Sequence, residues 1–483
     1  MRVQAAVSWA LGAQYAAFAG QFAASIYLAR HFITPADLGL FSAATATTAI
    51  ITSFQDFGLT RHLIGLPRLR RRDLSGALAL SLMLAGMAAL MCYFVAWPIS
   101  ELLNTPAIAN YIALLGTAAL FTPMTLAPLV LLQRRMNFRA IAVVETGCLL
   151  VNIAMSIMLA HLGWGAGALV SGLFCQQLSR MLIAQFVVGG IWIRPRWSFA
   201  KRKIIRYGQA TTLMNALWMA SDRLPSLFIG HQLGQAAVGL FARAEGLAVT
   251  LRTLLSNAAG GALYAALAKA HARGEPLPPL YERIVSGYCA LSWPALAGVA
   301  ILAEPIVLLL FGDQWRAAAP VLRWLALSHM LFVSLPLHVE LPLLLGQTRP
   351  IVWRSLLDSS LSITLIGLGA SFSITMAAAM RLVFGVIWFG IHAPQLARSL
   401  GLSWSCMSRM YLNALALSIA AISPATLSLL LGVNLDSGGP MASVTLMGIV
   451  CWLIAAFALR HPAANIIRQI AAKAKLTVFN HAI

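Results

Sequence analysis

Apolar residues in this chain come in long unbroken runs rather than in alternation with polar ones. A helix that crosses a membrane needs about 20 mostly apolar residues, because each adds only 1.5 Å of rise. On that measure the runs predict spans at about 7–28, 38–59, 75–97, 109–131, 141–162, 164–190 and 207–229. Seven more follow at about 237–259, 286–311, 320–345, 350–370, 373–394, 410–431 and 441–459. Barrel strands alternate over about ten residues, and these runs are longer and continuous. The pattern therefore predicts an all-α polytopic membrane protein with about 14 transmembrane helices. The first run exceeds the apolar region of a secretion signal and shows no cleavage site, so it is read as a span that is kept.

Composition narrows the class. Of 483 residues, 60% are hydrophobic and 10% charged, where a soluble chain carries about 25% charged residues. A soluble enzyme, a disordered chain and a disulfide-stapled secreted domain are excluded. Lys and Arg total 34 against 14 for Asp and Glu, a formal net charge of +20. A nucleic-acid partner would need those cations on a solvated face with aromatics between them; here they mark loops instead. Arg61, Arg68 and Arg70–Arg72 follow the second span, and Arg134, Arg135 and Arg139 the fourth. Arg194, Arg196, Lys201–Lys203 and Arg206 follow the sixth; Lys269, Arg273 and Arg283 follow the eighth; Arg460, Arg468, Lys473 and Lys475 close the chain. The intervening loops hold few, mainly Arg30 and Arg316. Positive loops stay inside, so both termini and the even-numbered loops are expected in the cytoplasm. The longest connections, roughly 60–74, 191–206 and 260–285, are then cytoplasmic and suited to anionic headgroups. No outer loop exceeds about fifteen residues, too little room for the outer catalytic domain of a membrane glycan polymerase or ligase.

Chemistry of the covalent kind finds no support. The six cysteines form no CxxC and read as small core residues. The histidines lack metal-ligand spacing and no P-loop occurs. No catalytic residue, metal or cofactor is expected; energy would come from an H+ or Na+ gradient or from downstream use of a product.

Ala29–Ala44, ARHFITPADLGLFSAA, repeats in Ile229–Ala244, IGHQLGQAAVGLFARA, at an offset of 200. His31 falls on His231 and Gly39-Leu40-Phe41 on Gly239-Leu240-Phe241. Both segments join the first two spans of a six-span block, and Leu102-Leu103-Asn104 echoes Leu310-Phe311-Gly312 more weakly. Six is even, so the blocks enter the bilayer in the same direction as parallel repeats, with a central cavity expected between them near the midplane. The expected organisation is a six-helix lobe over 1–190, a basic linker over 191–206, a second six-helix lobe over 207–395, and two further helices with a basic tail over 396–483.

Asp222-Arg223, Phe228-Ile229-Gly230, Gly234 and Gly239-Leu240-Phe241-Ala242-Arg243-Ala244 together resemble a signature of bacterial polysaccharide-unit flippases. These belong to the multidrug/oligosaccharidyl-lipid/polysaccharide exporter superfamily. Gly39-Leu40-Phe41 with Asp56-Phe57-Gly58-Leu59, Gln133-Arg134-Arg135 with Phe138-Arg139, and Phe311-Gly312 with Trp315, Ala318 and Pro320-Val321-Leu322 fit as well. The resemblance covers about residues 10–350. It implies a two-lobed, fourteen-helix fold that moves undecaprenyl-diphosphate-linked oligosaccharides to the periplasmic face, with a polysaccharide polymerase and assembly proteins as partners.

An ionised side chain at a helix centre costs about 2.5–3.5 kcal/mol, so such residues face a partner or a wet cavity. Arg180, Arg223, Arg243 and Arg381 are intramembrane by position. Arginine stays charged when desolvated and grips phosphate or carboxylate with two donors, so these four would line a cationic cavity for a diphosphate or an acidic sugar. The alternative is ion pairing: Asp222 or Glu245 would neutralise Arg223 or Arg243, whereas Arg180 and Arg381 have no acid nearby in sequence. Asp222 and Glu245 are also candidates for carrying a coupling ion. Asp56, Glu145, Glu340 and Asp358 lie nearer the cytoplasm, the first two beside basic loops. The family places spans one and seven beside the cavity, which implies sugar contacts for Gln14, Gln21 and Asn215, with interhelical hydrogen bonds as the alternative.

The expected function is that of a flippase for lipid-linked oligosaccharides in surface or exopolysaccharide synthesis, O-antigen or capsule included. A drug/cation antiporter, a peptidoglycan-precursor flippase, a glycan polymerase or ligase, and a scaffold of a synthesis complex are the alternatives. An antiporter for organic cations should place acids in its cavity, whereas here arginines at least equal acids in the outer half.

Overall fold

The computed structural model describes residues 2–55, 57–191, 193–196, 202–346, 349–462 and 464. Of residues 2–11, 13, 14, 202–211, 213, 214, 257–262 and 349–352 it describes the backbone alone. Every described element is helical, and every predicted span overlaps a helix. Among the described residues, seven helices are long and apolar enough to cross a membrane by length and composition: Arg71–Leu102, Ala107–Arg134, Phe138–His161, Leu277–Ile301, Ile374–Leu400, Trp404–Leu430 and Gly438–Ala458.

The chain forms two compact units, Met1–Ala242 and Arg243–Ile483. The first holds α1 (Arg2–His31), α2 (Pro35–Thr52), α3 (Leu59–Gly65), α4 (Arg71–Leu102), α5 (Ala107–Ala118), α6 (Thr122–Arg134), α7 (Phe138–His161), α8 (Ala166–Val188) and α9 (Arg202–Leu233). It ends inside α10 (Gln235–Ala272). The start of α2 shows why a helix begins there. Thr34 Oγ1 accepts from the Asp37 backbone N–H at 3.2 Å and Asp37 Oδ2 accepts from that of Thr34 at 3.1 Å, a reciprocal cap that satisfies two otherwise orphaned donors. Asp37 Oδ1 also accepts from Ala166 N at 3.1 Å, which ties α2 to the first turn of α8.

Two glycines permit a backbone crossing. A Cβ on Gly39 would stand 1.7 Å from the carbonyl oxygen of Gln235, and one on Gly239 would stand 1.8 Å from that of Pro35. These contacts are reciprocal: residues 35 and 39 meet residues 239 and 235, which occupy the same places in the 200-residue repeat. A two-fold relation between like segments produces contacts of this kind.

The remainder of α10 opens the second unit. There follow α11 (Leu277–Ile301), α12 (Ala303–Phe311), α13 (Ala318–Val333), α14 (Glu340–Leu344), α15 (Arg349–Ala370), α16 (Ile374–Leu400), α17 (Trp404–Leu430) and α18 (Gly438–Ala458). Packing of α11 on α17, α13 on α16, α15 on α16 and α17 on α18 builds this unit.

Three expectations are corrected. The stretch 260–285 is not a loop, because α10 runs to Ala272 and α11 starts at Leu277; hydropathy marks where lipid ends, not where the helix does. The predicted span at 286–311 is interrupted between Ile301 and Ala303. The span at 320–345 breaks over Ser334–Val339, where Pro336 removes a donor and Leu337 takes φ +60°. Side chains satisfy the backbone freed by that break: Tyr411 Oη donates to the Ser334 carbonyl at 2.9 Å and Tyr281 Oη to that of Pro336 at 3.3 Å. Irregular backbone at such depth is tolerated where protein or a cavity surrounds it.

Candidate functional site

The candidate residues fall into separate clusters, one group in each unit. In the first unit α7 and α8 pack lengthwise, and their interface carries two polar pairs. Arg180 Nη2 donates to Glu145 Oε1, and Asn152 Nδ2 to Gln176 Oε1 at 2.9 Å. Positions 145 and 152 lie seven apart, and 176 and 180 four apart, so each pair of positions shares a helix face. This corrects the expectation that Arg180 lacks an acid and that Glu145 serves the basic loops. The partners are 35 residues apart in sequence, and depth along a helix says nothing about which neighbour lies beside it. The side chains stay 34% and 44% exposed.

Arg223 pairs with its neighbour Asp222 at 3.2 Å, both largely exposed on α9. Gln21 is exposed on α1 and Asn215 half-buried on α9. The side chain of Gln14 and all of Asp56 lie outside the described residues. Arg134, read as a loop cation, has a second task. Its guanidinium donates to the carbonyls of Leu63, Ile64 and Pro67 at 3.1, 3.0 and 3.4 Å and so closes the end of α3.

In the second unit Arg243 and Glu245 share α10 but point to different surroundings. The Arg243 guanidinium carbon lies 4.5 Å from the Phe311 ring centre and 4.9 Å from that of Trp315, a cation–π arrangement. Glu245 therefore does not neutralise Arg243, which corrects the local pairing considered for it. Its Oε1 stands 3.6 Å from His329 Nε2 and 4.0 Å from Arg381 Nη2. Arg381 thus has an acid within reach, again from a helix remote in sequence. It also donates to Ser362 Oγ at 2.9 Å and lies 5.3 Å from the Phe332 ring centre. His329 is fully buried beside this group.

A cavity of about 300 Å³ opens in the same unit, lined among others by Arg252, Ser256, Tyr288, Phe332, His338 and Glu340. The break at Pro336 delivers His338 and Glu340 to its wall. Sequence reading passed over that break, although Pro336 inside an apolar run was its signal. Asp358, on α15, meets His392 of α16 at 2.9 Å.

Outside the spans, Arg316 is held by Glu304 at 2.6 Å and Asp313 at 2.9 Å, and these carboxylates push its pKa up. Arg316, one of the few cations expected in an outer loop, therefore comes with two counter-charges. The buried Cys92, Cys148 and Cys289 are unpaired core residues. Among the described residues no three His, Cys, Asp or Glu side chains are placed to hold a metal ion.

Comparison with known proteins gives these clusters a context. Residues 27–320 match the family model described as polysaccharide biosynthesis protein. The chain is 27% identical over 372 residues to the succinoglycan biosynthesis transport protein ExoT of Rhizobium meliloti (strain 1021), covering 75% of this chain and 74% of that one. It is 23% identical over 296 residues to the lipopolysaccharide biosynthesis protein WzxC of Escherichia coli (strain K12), covering 61% and 60%. The fold resembles that of the lipid II flippase MurJ in its inward closed conformation, with TM-score 0.74 and 12% identity over 94% of this chain and 99% of that one. With its apolar helices, and with a family match across more than half its length, this multi-span membrane chain belongs to the polysaccharide biosynthesis protein family.

Proposed function

We propose that this chain is a flippase that carries undecaprenyl-diphosphate-linked oligosaccharide units across the bacterial inner membrane for surface or exopolysaccharide synthesis. It would hand them to a polymerase and assembly proteins on the outer face. The observation that carries the reading is a family match on a fold like that of a flippase, in a chain that leaves the Arg180 guanidinium partly exposed. Two like-oriented six-helix repeats would alternate in access; the reciprocal glycine contacts of residues 39 and 239 support the duplication. The alternation of basic loops supports cytoplasmic termini.

Arg180, Arg223, Arg243 and Arg381 are the proposed anion contacts, with Gln14, Gln21 and Asn215 for sugar hydroxyls. Pairing changes how the arginines work. Glu145 holds one end of the Arg180 guanidinium, whose Nε is buried without a hydrogen-bond partner, and an incoming diphosphate must displace Glu145 to gain the guanidinium. Phosphate can do so because it offers more acceptor oxygens and more charge. A proton or sodium gradient would supply energy, with Asp222 and Glu245 as candidate carriers. In the arrangement described each already has an arginine within 4.0 Å, which opposes a second cation there.

Export of glycan in a deletion strain complemented with variants tests the reading. Arg180→Ala should cut export about tenfold or more at normal protein levels. Glu145→Gln removes only the competing carboxylate and should preserve it. Equal loss in both variants means the pair is a structural brace and the binding role fails.

A further inference from the structure

The second unit also contains a titratable pair, Asp358 with His392, that among the described residues has no arginine in an ion pair with it. Asp358 Oδ2 and His392 Nε2 are 2.9 Å apart, and among the described residues His392 is the ionic partner of Asp358. Their side chains are 21% and 8% exposed, so lipid or protein covers most of both. Asp358 Oδ1 is buried with no hydrogen-bond partner. His338 stands edge-on to His392 with ring centres 5.3 Å apart, and it forms part of the cavity wall. An unbroken helix over 334–339 would not place it there. Trp388, one turn before His392 on α16, touches both imidazoles, at 4.8 Å from His338 and 5.0 Å from His392.

The other charged groups nearby are few. From α15 comes Arg354, one turn before Asp358, with Nη1 buried and unpartnered. From the segment between α13 and α14, and from α14, come His338 and Glu340 on the cavity wall. Two imidazoles, one carboxylate and an indole make a poor sodium site, which wants a shell of oxygens. They suit a proton. With Asp358 ionised, it accepts from His392 Nε2–H, and Nδ1 is left to take up an incoming proton; the imidazolium so formed is held by the carboxylate. A second charge on His338 at this separation would be opposed by the first, and the carboxylate is hydrogen-bonded to His392, so the proton rests on His392.

We propose that the second unit binds a proton at the His392–Asp358 pair, reached from the cavity by way of His338. Its use in driving translocation rests on the flippase reading; the binding itself does not, and it can be measured without any lipid-linked substrate.

Imidazolium quenches indole emission at contact distance, so Trp388 reports the event. Purified full-length protein in detergent micelles is titrated with acid and its tryptophan emission followed, with Trp388→Phe subtracting the other twelve of the 13 tryptophans. As acid is added, the Trp388 emission should fall in a single step. His392→Gln should lose that step while eluting from size exclusion as the parent does. Asp358→Asn, whose imidazolium lacks its counter-charge, should retain more of the emission than the parent at the midpoint of the parent's step. If His392→Gln does not fold, the Asp358→Asn and His338→Gln curves decide. A pH response identical in parent and Trp388→Phe, or a step that survives both His392→Gln and Asp358→Asn, overturns the proposal.

Discussion

The two units treat their intramembrane polar groups differently. In the first, Arg180 meets Glu145 and Asn152 meets Gln176 on one pair of neighbouring helices, half open to their surroundings. In the second, Glu245, His329, Arg381 and Ser362 come from α10, α13, α16 and α15. Both units bury polar atoms with no hydrogen-bond partner, Arg180 Nε and Gln185 Oε1 in the first, and in the second Glu245 Oε2, His329 Nδ1 and Asp358 Oδ1, which are titratable. A buried polar atom without a partner costs about 1–3 kcal/mol, and such a cost persists where function requires the group to change partner or charge. The first unit has the arrangement of a brace that a ligand can open, and the second that of a titratable interior beside a cavity.

The largest expected effect falls on the first unit's backbone crossing. Gly39→Leu places a side chain where even a Cβ meets the Gln235 carbonyl at 1.7 Å, and a carbonyl in a helix cannot step aside. A loss of about 3 kcal/mol or more is expected, read as failure to accumulate or as a large fall in melting temperature. A stable Gly39→Leu variant breaks the view that this crossing holds the unit.

Removing one partner of an ion pair should then separate the units. Arg381→Met leaves Glu245, whose side chain is 23% exposed, with His329 and the more distant Arg252 beside it; about 2–3 kcal/mol is expected, since a poorly compensated buried charge is expensive. Arg180→Met leaves Glu145 44% exposed, and about 1 kcal/mol is expected there. Thermal unfolding of both variants in the same detergent compares them. Equal losses would erase the distinction between an open brace and an enclosed cluster.

Much of the helical fold was legible in the apolar runs, because lipid leaves a chain few ways to satisfy its backbone. The GLF repeat at 39–41 and 239–241 was visible too, although nothing in it announced that the two copies touch. The breaks at Leu302 and Pro336 were not seen, since hydropathy averages over them. The arginines were found by their cost in lipid, but their partners were missed for one reason. Glu145 and Arg180, like Glu245 and Arg381, sit at similar depth on different helices, and a linear sequence orders depth better than lateral neighbours. Arg134 shows the same gap from the other side: the sequence places its charge in a loop, whereas it ends α6 and closes the carbonyls at the end of α3.

The central claim is that this chain moves an anionic lipid-linked glycan with the help of Arg180. The most direct measurement places purified protein in vesicles carrying a polyprenyl-diphosphate oligosaccharide and follows its arrival at the outer leaflet with a membrane-impermeant glycan-binding probe. The account predicts transfer well above protein-free vesicles. Arg180→Ala should slow it about tenfold or more, the equivalent of losing one charge-assisted contact of about 1.5–3 kcal/mol. Transfer no faster than in empty vesicles, or an Arg180→Ala rate equal to that of the parent, would contradict it.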